Sequence, residues 1–327
     1  MTALHRLALA VAATLFASPL FALDTARPDV RVFIDEMVAK HGMSGAELNR
    51  LFASVERKQA ILDAISRPAE RTIPWFEYRE RFLTAQRIQK GIAFWKQHHD
   101  RLAAITAAGL PAQIAVGILG VETSFGEITG RYRVIDALST LAFEYPPRSP
   151  FFRGELEQFL LLIREESVDP LKATGSYAGA MGAPQFMPTS YRKWAVDADA
   201  DGHRDLWSSW DDVIGSIANY FKDHGWRTGE PVSVPATLKN PDLSQFTLGI
   251  ELNETIESLK AKGVEFEIDL PPGSPALLIV GEGRNGPEYR VGFNNFFVIT
   301  RYNRSPLYAM TVYDLGQAIA SQVKDAH

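Results

Sequence analysis

The sequence predicts a mainly α-helical protein (α+β) with a smaller region of mixed helix and strand in its second half. From Arg27 to about Gly109, and through most of residues 110–228, apolar residues recur at intervals of three and four, the period of amphipathic helices. Between residues 229 and 300 short β-type runs are separated by Gly, Asn and Pro, which is typical of strands and turns. Residues 301–327 return to a helical pattern.

Composition and charge limit the class of protein. A chain of 327 residues with 46% hydrophobic and 22% charged residues suits a folded protein of more than one domain. The formal net charge of −5 argues against a nucleic-acid partner, because binding along a phosphate backbone needs a strongly basic face. The chain contains no cysteine, which excludes disulfides, thiolate metal sites and a cysteine nucleophile.

Residues 1–22 have the pattern of an export signal. Arg6 precedes an apolar run from Leu7 to Phe16, and small residues follow, as in a cleavable signal peptide. A membrane anchor would need about 20 uninterrupted apolar residues, and Ser18 and Pro19 break the run early. We therefore expect an exported protein without a stable membrane anchor.

Residues 23–109 are expected to form an N-terminal helical domain. Ser44 has the position of an N-cap, and Glu47 three residues later completes a capping box. The aromatic segment Thr72–Phe82 is an exception to the helical periodicity. Within it, Tyr78 is interpreted either as an ordinary core residue or as part of a sugar site.

His98 and His99 raise the question of a metal site. The side chains of consecutive helical residues point in different directions, so the two imidazoles cannot coordinate the same metal ion. We interpret both as solvated helix residues.

The stretch Pro111–Gly126 predicts a buried helix that ends with one carboxylate. It is apolar on nearly all sides, and Glu122 follows an apolar pair one turn earlier. Burial disfavours the charged form of a carboxyl group and raises its pKa, as a general acid near neutral pH requires. The alternative is a structural ion pair between Glu122 and either Arg131 or Arg133.

A loop of small residues, Gly175–Pro188, is the second candidate part of a functional site. Six Gly and Ala residues between positions 175 and 183 would let a ligand approach the backbone closely. The loop also carries Ser176 and Gln185. We expect it to face Glu122 across a cleft.

A third motif has the order of an EF-hand calcium loop. Asp197, Asp199, Asp201, Gly202, His203 and Asp205 occupy relative positions 1, 3, 5, 6, 7 and 9, where carboxylates, a turn glycine and a backbone carbonyl converge on the ion. Position 12 is Ser208 rather than Glu, so we expect a longer loop closed by Asp211. The all-oxygen ligand set predicts a structural Ca²⁺. An acidic turn without an ion would leave these charges to repel one another.

Taken together, the long motifs resemble the membrane-bound lytic transglycosylase B family. They are GVETSFG, GSYAGAMGAPQFMPTSY, ANYFKDHGW and ITRYNRSPLYAM, in this order. The resemblance implies a lysozyme-like core at 110–228, a small α+β domain at 229–300, and a C-terminal helix at 301–327 that returns to the helical domain. Without a cysteine for lipidation, the expected protein is a soluble periplasmic member.

The resemblance also implies an activity and a site. Such enzymes cleave the β-1,4 bond between N-acetylmuramic acid and N-acetylglucosamine in peptidoglycan and leave 1,6-anhydromuramic ends. Glu122 matches the single acid/base, which agrees with the lack of an obvious second carboxylate beside it; Glu127, beyond Gly126, is the nearest. The implied substrate contacts are Tyr78, Phe125, Arg148, Ser176, Gln185, Tyr220, Tyr302, Asn303 and Tyr308. Phe125 departs from the family, since some relatives have an indole there.

Two alternatives stay open. A hydrolytic muramidase would act on the same substrate with water as the nucleophile. A non-catalytic, calcium-stabilised protein would bind peptidoglycan without cleaving it. In each case the expected partners are peptidoglycan glycan strands, with other cell-wall enzymes as further candidates.

Overall fold

The structure, a computed structural model, describes residues 23–66 and 73–324. The predicted signal peptide lies outside the described residues. Contacts between Cα atoms divide the chain into two compact units, with the boundary between Arg57 and Lys58. This boundary falls inside the segment 23–109 that the sequence predicts as one helical domain.

In the first unit, the described residues 23–57 form two helices, α1 (Pro28–His41) and α2 (Gly45–Ala53). The hydroxyl of Ser44 accepts a hydrogen bond from the backbone N–H of Glu47 at 3.3 Å, so Ser44 is the predicted N-cap. The rings of Phe33 and Phe52 meet edge to face at 5.9 Å, and they form the centre of a small core within this unit.

The second unit contains the remaining helices. Their bounds are α3 (Gln59–Ile65), α4 (Trp75–Phe82), α5 (Ala85–Gln97), α6 (His99–Ala107), α7 (Ala112–Thr123), α8 (Val134–Glu144), α9 (Ser149–Glu165), α10 (Pro188–Trp194), α11 (Trp210–Asp223), α12 (Ile256–Ala261), α13 (Asn294–Tyr302) and α14 (Pro306–Lys324). A 3-10 turn at Pro146–Arg148 precedes α9. No helix in the described part of the chain is both long and apolar enough to cross a membrane.

Two segments differ from the expected secondary structure. The aromatic stretch around Trp75 forms the regular helix α4, with Pro74 at the position before its first turn, where the missing N–H of proline is tolerated. The segment 296–303 reads as a β-type run because it is rich in aromatic and β-branched residues, yet it lies almost wholly in α13. Phe296, Val298 and Ile299 are all buried there, so tertiary packing outweighs the local preference.

The prediction that His98 is solvated is wrong. Helix α5 ends at Gln97 and α6 begins at His99, so His98 lies in the junction between them rather than on a continuous helix. Its ring is only 5% exposed. Burial lowers the pKa of His98, which favours the neutral imidazole. The neighbouring His99 is exposed as expected.

The strands form two antiparallel sheets. The first is a short pair, β1 (Tyr132–Arg133) with β2 (Thr174–Gly175). The second has the order β4 (Glu254–Thr255), β6 (Pro275–Gly283), β7 (Gly286–Gly292), β3 (Ser233–Leu238) and β5 (Val264–Glu265). These five strands and α12 pack around a hydrophobic core that includes Phe246, Leu259 and Phe293.

The five-stranded sheet is fastened to the helices by specific contacts. The indole N–H of Trp75 on α4 donates to Glu288 on β7 at 3.0 Å. The guanidinium of Arg290 on β7 donates to both carboxylate oxygens of Asp314 on α14 at 2.6 and 2.8 Å. Because this ion pair is bidentate and largely buried, it fixes both the distance and the relative orientation of β7 and α14.

Helix α7 is the centre of the second unit, and α14 runs antiparallel against it. Nine of the 12 residues of α7 are buried, as its apolar sequence predicts. A Cβ atom at Gly117 of α7 would collide with the carbonyl oxygen of Val312 on α14, and one at Gly316 of α14 would collide with the carbonyl of Gln113 on α7. The two backbones therefore approach at a distance that only glycine permits.

We expect Gly117→Ala to destabilise the protein by about 1–3 kcal/mol, because the added methyl group forces the two helices apart. Chemical denaturation measures the free energy of unfolding. Gly154→Ala on α9 is the matched control, since nothing lies within 4 Å of its Cβ position; it should be neutral or stabilise by up to about 1 kcal/mol. Equal stability of the two variants would contradict the close α7–α14 contact.

Candidate active site

Glu122 lies in the last turn of α7, directly before a sharp change in chain direction. Ser124 and Phe125 follow with φ angles of 51° and 62°, a left-handed conformation that costs non-glycine residues about 1–3 kcal/mol each. Such strain persists only where the surroundings impose it, and it is frequent at functional sites. The turn leaves Glu122 partly exposed at the end of a buried helix.

Tyr308 on α14 donates a hydrogen bond from its hydroxyl to Oε1 of Glu122 at 2.5 Å. Burial raises the pKa of Tyr308 well above its usual value, and the negative charge of Glu122 raises it further. The phenol therefore stays protonated, so it is a constant donor to the carboxylate. The sequence did not predict this contact, which joins residues 186 positions apart.

Two further tyrosines continue from Tyr308 in a row of rings. Tyr302 stacks on Tyr308 at 6.5 Å with an interplanar angle of 12°, and Tyr220 meets Tyr302 at 4.9 Å. Their hydroxyls donate to the backbone carbonyls of Pro184 and Arg301 at 2.6 and 2.7 Å. Desolvation raises the pKa of both phenols. These hydroxyls are thus engaged within the protein.

The small-residue loop (175–188) packs directly on the segment that follows Glu122. The hydroxyl of Thr123 donates to the carbonyl of Ala183 at 2.9 Å. The amide nitrogen of Gln185 donates to the carbonyls of Thr129 and Gly182 at 3.0 and 2.9 Å. The β1–β2 pair extends this contact through Tyr132 opposite Gly175.

Among the residues that the structure describes, Ser176 and Gln185 each keep one hydrogen-bonding group without a partner. The oxygen of Ser176 accepts from the backbone N–H groups of Ala178 and Ala180 at 3.2 and 3.0 Å, which leaves its own proton to donate. Gln185 uses both of its N–H groups, which leaves its carbonyl oxygen to accept. One donor and one acceptor are what the C=O and N–H of an acetamido group require.

The other predicted substrate contacts lie in different surroundings. Tyr78 is 2% exposed on α4, and its ring packs at 5.2 Å from that of Phe82. Asn303 is exposed at the end of α13. Arg148 is also exposed, and its guanidinium lies over the ring of Phe151 at 4.4 Å.

Phe125 has a packing role that the sequence did not reveal. Its ring stacks on Phe94 of α5 at 5.5 Å. It also lies against Gly120 of α7, where a Cβ atom would be 2.9 Å from the ring. The side chain therefore fills the space between α5 and α7, while its contact with substrate stays a prediction.

The charged neighbours of Glu122 have partners of their own. Arg133, one of the two alternative ion-pair partners, donates to both oxygens of Asp136 at 2.7 and 2.9 Å. Arg131 lies over the ring of Tyr132. Glu127, the nearest carboxylate along the chain, is bound by Lys90 of α5 at 2.5 Å.

The acidic loop forms a carboxylate cluster at Asp197, Asp199 and Asp212, whose ligand oxygens all lie within 4.8 Å of one another. Asp212 replaces the predicted Asp211, which instead pairs with Arg101 at 2.5 Å. The reason is the position of the N-cap of α11, which is Ser209. Because the helix begins at Trp210, its first turn directs the side chain of Asp212 toward the protein interior. Asp212 is fully buried, and the sequence pattern alone gave no sign of it.

The chemistry of this cluster fits a bound cation. Burial raises the pKa of Asp212, a cost that a cation would offset. Asp201 and Asp205 are used in turns of the loop, since they accept from the backbone N–H groups of His203 and Trp207, each at 2.8 Å. Neither belongs to the three-carboxylate cluster.

The site and fold have close counterparts among known proteins. Residues 25–317 match the family model of the transglycosylase SLT domain. The chain is 43% identical over 303 residues to membrane-bound lytic murein transglycosylase B of Escherichia coli (strain K12), which covers 90% of this chain and 83% of that protein.

Two solved structures are similar over nearly their whole length. The catenated lytic transglycosylase SltB1 from Pseudomonas aeruginosa is 52% identical, with a TM-score of 0.88 over 91% of this chain and 98% of that one. The Escherichia coli lytic transglycosylase Slt35 in complex with calcium is 42% identical, with a TM-score of 0.85 over 92% and 96%.

The likeness to these structures confirms the predicted mainly α fold with a lysozyme-like core. A lysozyme-like fold with an acidic residue at the end of its buried helix defines the class, an enzyme that cleaves peptidoglycan. The chain belongs to the transglycosylase SLT family and is a lytic transglycosylase.

Tyr308→Phe tests the electrostatics of the site. The variant removes a donor that stabilises the ionised carboxylate, so we expect the pKa of Glu122 to rise. The pH dependence of the side-chain carboxyl signal of Glu122 in ¹³C NMR measures it. Tyr220→Phe is the control, because that hydroxyl donates to a backbone carbonyl. An unchanged titration in Tyr308→Phe would contradict the contact.

Proposed function

We propose that Glu122 is the single acid/base of the reaction and that the products carry 1,6-anhydromuramic ends. The observation that carries this proposal is the position of Glu122 at the end of the buried helix α7, with its carboxylate bound by the protonated phenol of Tyr308. The substrate is the β-1,4 bond between N-acetylmuramic acid and N-acetylglucosamine.

The reaction needs one carboxyl group and no water. Protonated Glu122 donates its proton to the glycosidic oxygen as the bond from C1 to that oxygen breaks. The C6 hydroxyl of the muramic residue then attacks C1 and returns a proton to the Glu122 carboxylate. Tyr308 stabilises this carboxylate between the two proton transfers.

The surroundings of Glu127 support a single-carboxylate mechanism. Glycosidases that use two carboxylates hold them about 5–9.5 Å apart on either side of the scissile bond. Glu127 lies beyond the turn at Gly126 and is tied to Lys90 of α5. It therefore has a partner that keeps it away from such a role.

We further propose the substrate contacts from the unused groups around Glu122. Ser176 would donate to, and Gln185 accept from, the acetamido groups of the glycan. Tyr78, Tyr220, Tyr302 and Tyr308 would form the aromatic wall behind these groups, because the rings of Tyr78, Tyr220 and Tyr308 are buried. Three other residues complete the proposed set, with Asn303 as a hydrogen-bonding group, Arg148 for the lactyl or peptide carboxylates, and Phe125 as a neighbour of the cleft.

We also propose that Asp197, Asp199 and Asp212 hold a structural Ca²⁺. Oxygens at 2.3–2.6 Å from a calcium ion lie no more than about 5 Å from one another, which agrees with the 4.8 Å limit of this cluster. Bound Ca²⁺ would neutralise the clustered carboxylates and hold the loop. Asp201, Asp205 and the backbone carbonyl of His203 are further candidate ligands from the sequence pattern.

The proposed location is the periplasm, with peptidoglycan strands as the partner. The signal-like pattern of residues 1–22 and the membership of a cell-wall-cleaving family support this location. Other cell-wall enzymes are candidate partners on the same grounds.

Product analysis tests the proposed reaction. Mass spectrometry of digested sacculi should detect anhydro ends, whereas reducing ends would indicate the hydrolytic alternative. Glu122→Gln should still bind sacculi but lose at least about 100-fold in turnover, because it can neither donate nor accept the proton. Glu127→Gln is the control and should keep its activity. Substantial turnover by Glu122→Gln would show that another group is the acid.

Calcium binding is tested through thermal stability. Ca²⁺ should raise the melting temperature of the unmodified protein, because it binds the folded state. Asp212→Asn should lose this response, since it removes the buried ligand. Asp211→Asn should keep it, because that carboxylate pairs with Arg101. A response that disappears in Asp211→Asn but survives in Asp212→Asn would favour the ligand expected from the sequence instead.

A further inference from the structure

We propose that Trp210 is a positioning residue that couples the calcium loop (residues 197–212) to the catalytic turn (residues 122–126). Binding of Ca²⁺ and binding of glycan then strengthen each other. This inference rests on the proposed calcium site and on the proposed role of Glu122.

Trp210 connects the two elements directly. It is the first residue of α11, two positions before the buried carboxylate of Asp212. Its indole lies against Gly126, where a Cβ atom would be 2.9 Å from the ring. Gly126 has a φ of 86°, a conformation that residues with a side chain rarely adopt. Because glycine has no Cβ atom, its backbone can lie directly against the indole.

The indole also packs against α5 and against the junction between α5 and α6. The rings of Phe94 and His98 lie 4.9 and 5.1 Å from that of Trp210. Phe94 also stacks on Phe125 of the catalytic turn at 5.5 Å. One aromatic cluster therefore contains a residue of the calcium loop and a residue of the catalytic turn, and a shift of either changes the packing of both.

The calcium loop also contacts the opposite side of the site through backbone atoms. The carbonyl of Leu206 accepts from the N–H of Ala183 in the small-residue loop at 3.0 Å. The carbonyl of Ala183 in turn accepts from Thr123 at 2.9 Å. The calcium loop thus contacts both the catalytic turn and the small-residue loop. A well-ordered calcium loop therefore fixes the distance between these two segments.

The coupling follows from electrostatics at the start of α11. Asp212 is buried close to Asp197 and Asp199, and its two oxygens accept from the backbone N–H groups of Ala198 and Asp205 at 2.7 Å each. A cation between the three carboxylates reduces their remaining repulsion. An ion that binds all three fixes the first turn of α11 and with it the indole of Trp210. A glycan that binds to the same arrangement must strengthen Ca²⁺ binding by the factor that Ca²⁺ strengthens glycan binding.

Calorimetry measures this reciprocity without turnover. In the Glu122→Gln protein, the dissociation constant for Ca²⁺ is determined with and without a saturating oligosaccharide of alternating N-acetylglucosamine and N-acetylmuramic acid. We expect Ca²⁺ to bind at least about 5-fold more tightly with the glycan present. Adding Trp210→Ala should preserve Ca²⁺ binding but abolish this difference, which a purely stabilising role for the indole would not do.

Trp226→Ala is the matched control, because it removes an indole just beyond the other end of α11. This variant should keep the effect of the glycan on the dissociation constant for Ca²⁺. If Trp210→Ala fails to fold, Trp210→Phe takes its place. The smaller phenyl ring should reduce the effect of the glycan on the dissociation constant for Ca²⁺. An equal glycan effect with and without Trp210 would overturn the proposal. So would Ca²⁺ binding that the glycan never affects. Absence of any Ca²⁺ binding would refute the proposed metal site itself.

Discussion

The close contact between α7 and α14 is the constraint on which the active site depends. Gly117 and Gly316 each face a backbone carbonyl of the other helix, so no side chain separates the two backbones. This proximity brings the phenol of Tyr308 to the carboxylate of Glu122 at 2.5 Å. A larger residue at either glycine would widen the gap, and the carboxylate of Glu122 would lose its donor although neither Glu122 nor Tyr308 had changed.

Local patterns predicted the motifs, while tertiary packing decided their details. The apolar run of α7 and the small-residue loop carry their signals within a few positions, so both could be predicted. The sequence also predicts the acidic loop, but Asp212 rather than Asp211 joins its carboxylate cluster, because the cap at Ser209 sets where α11 begins. The burial of His98 and the helical state of residues 296–302 depend on neighbours distant in sequence.

The polar groups of the site divide into those that build it and those that remain for a ligand. The hydroxyls of Tyr220 and Tyr302 bind backbone carbonyls, and the amide nitrogen of Gln185 holds the loop to the chain after Glu122. Among the described residues of the site, the groups without an internal partner include the hydroxyl proton of Ser176 and the amide oxygen of Gln185. In the proposed reaction, the internal bonds would orient these groups before substrate arrives and so lower the entropic cost of binding and reaction.

The order of the elements along the chain has a consequence for synthesis. Glu122 is made early, but its donor Tyr308 lies on α14, the last helix, 186 residues later. A chain that is still being synthesised, or that ends before α14, contains the acid without the phenol and without the helix that packs on α7. Docking of α14 therefore completes both the hydrogen bond to Glu122 and the packing of α7.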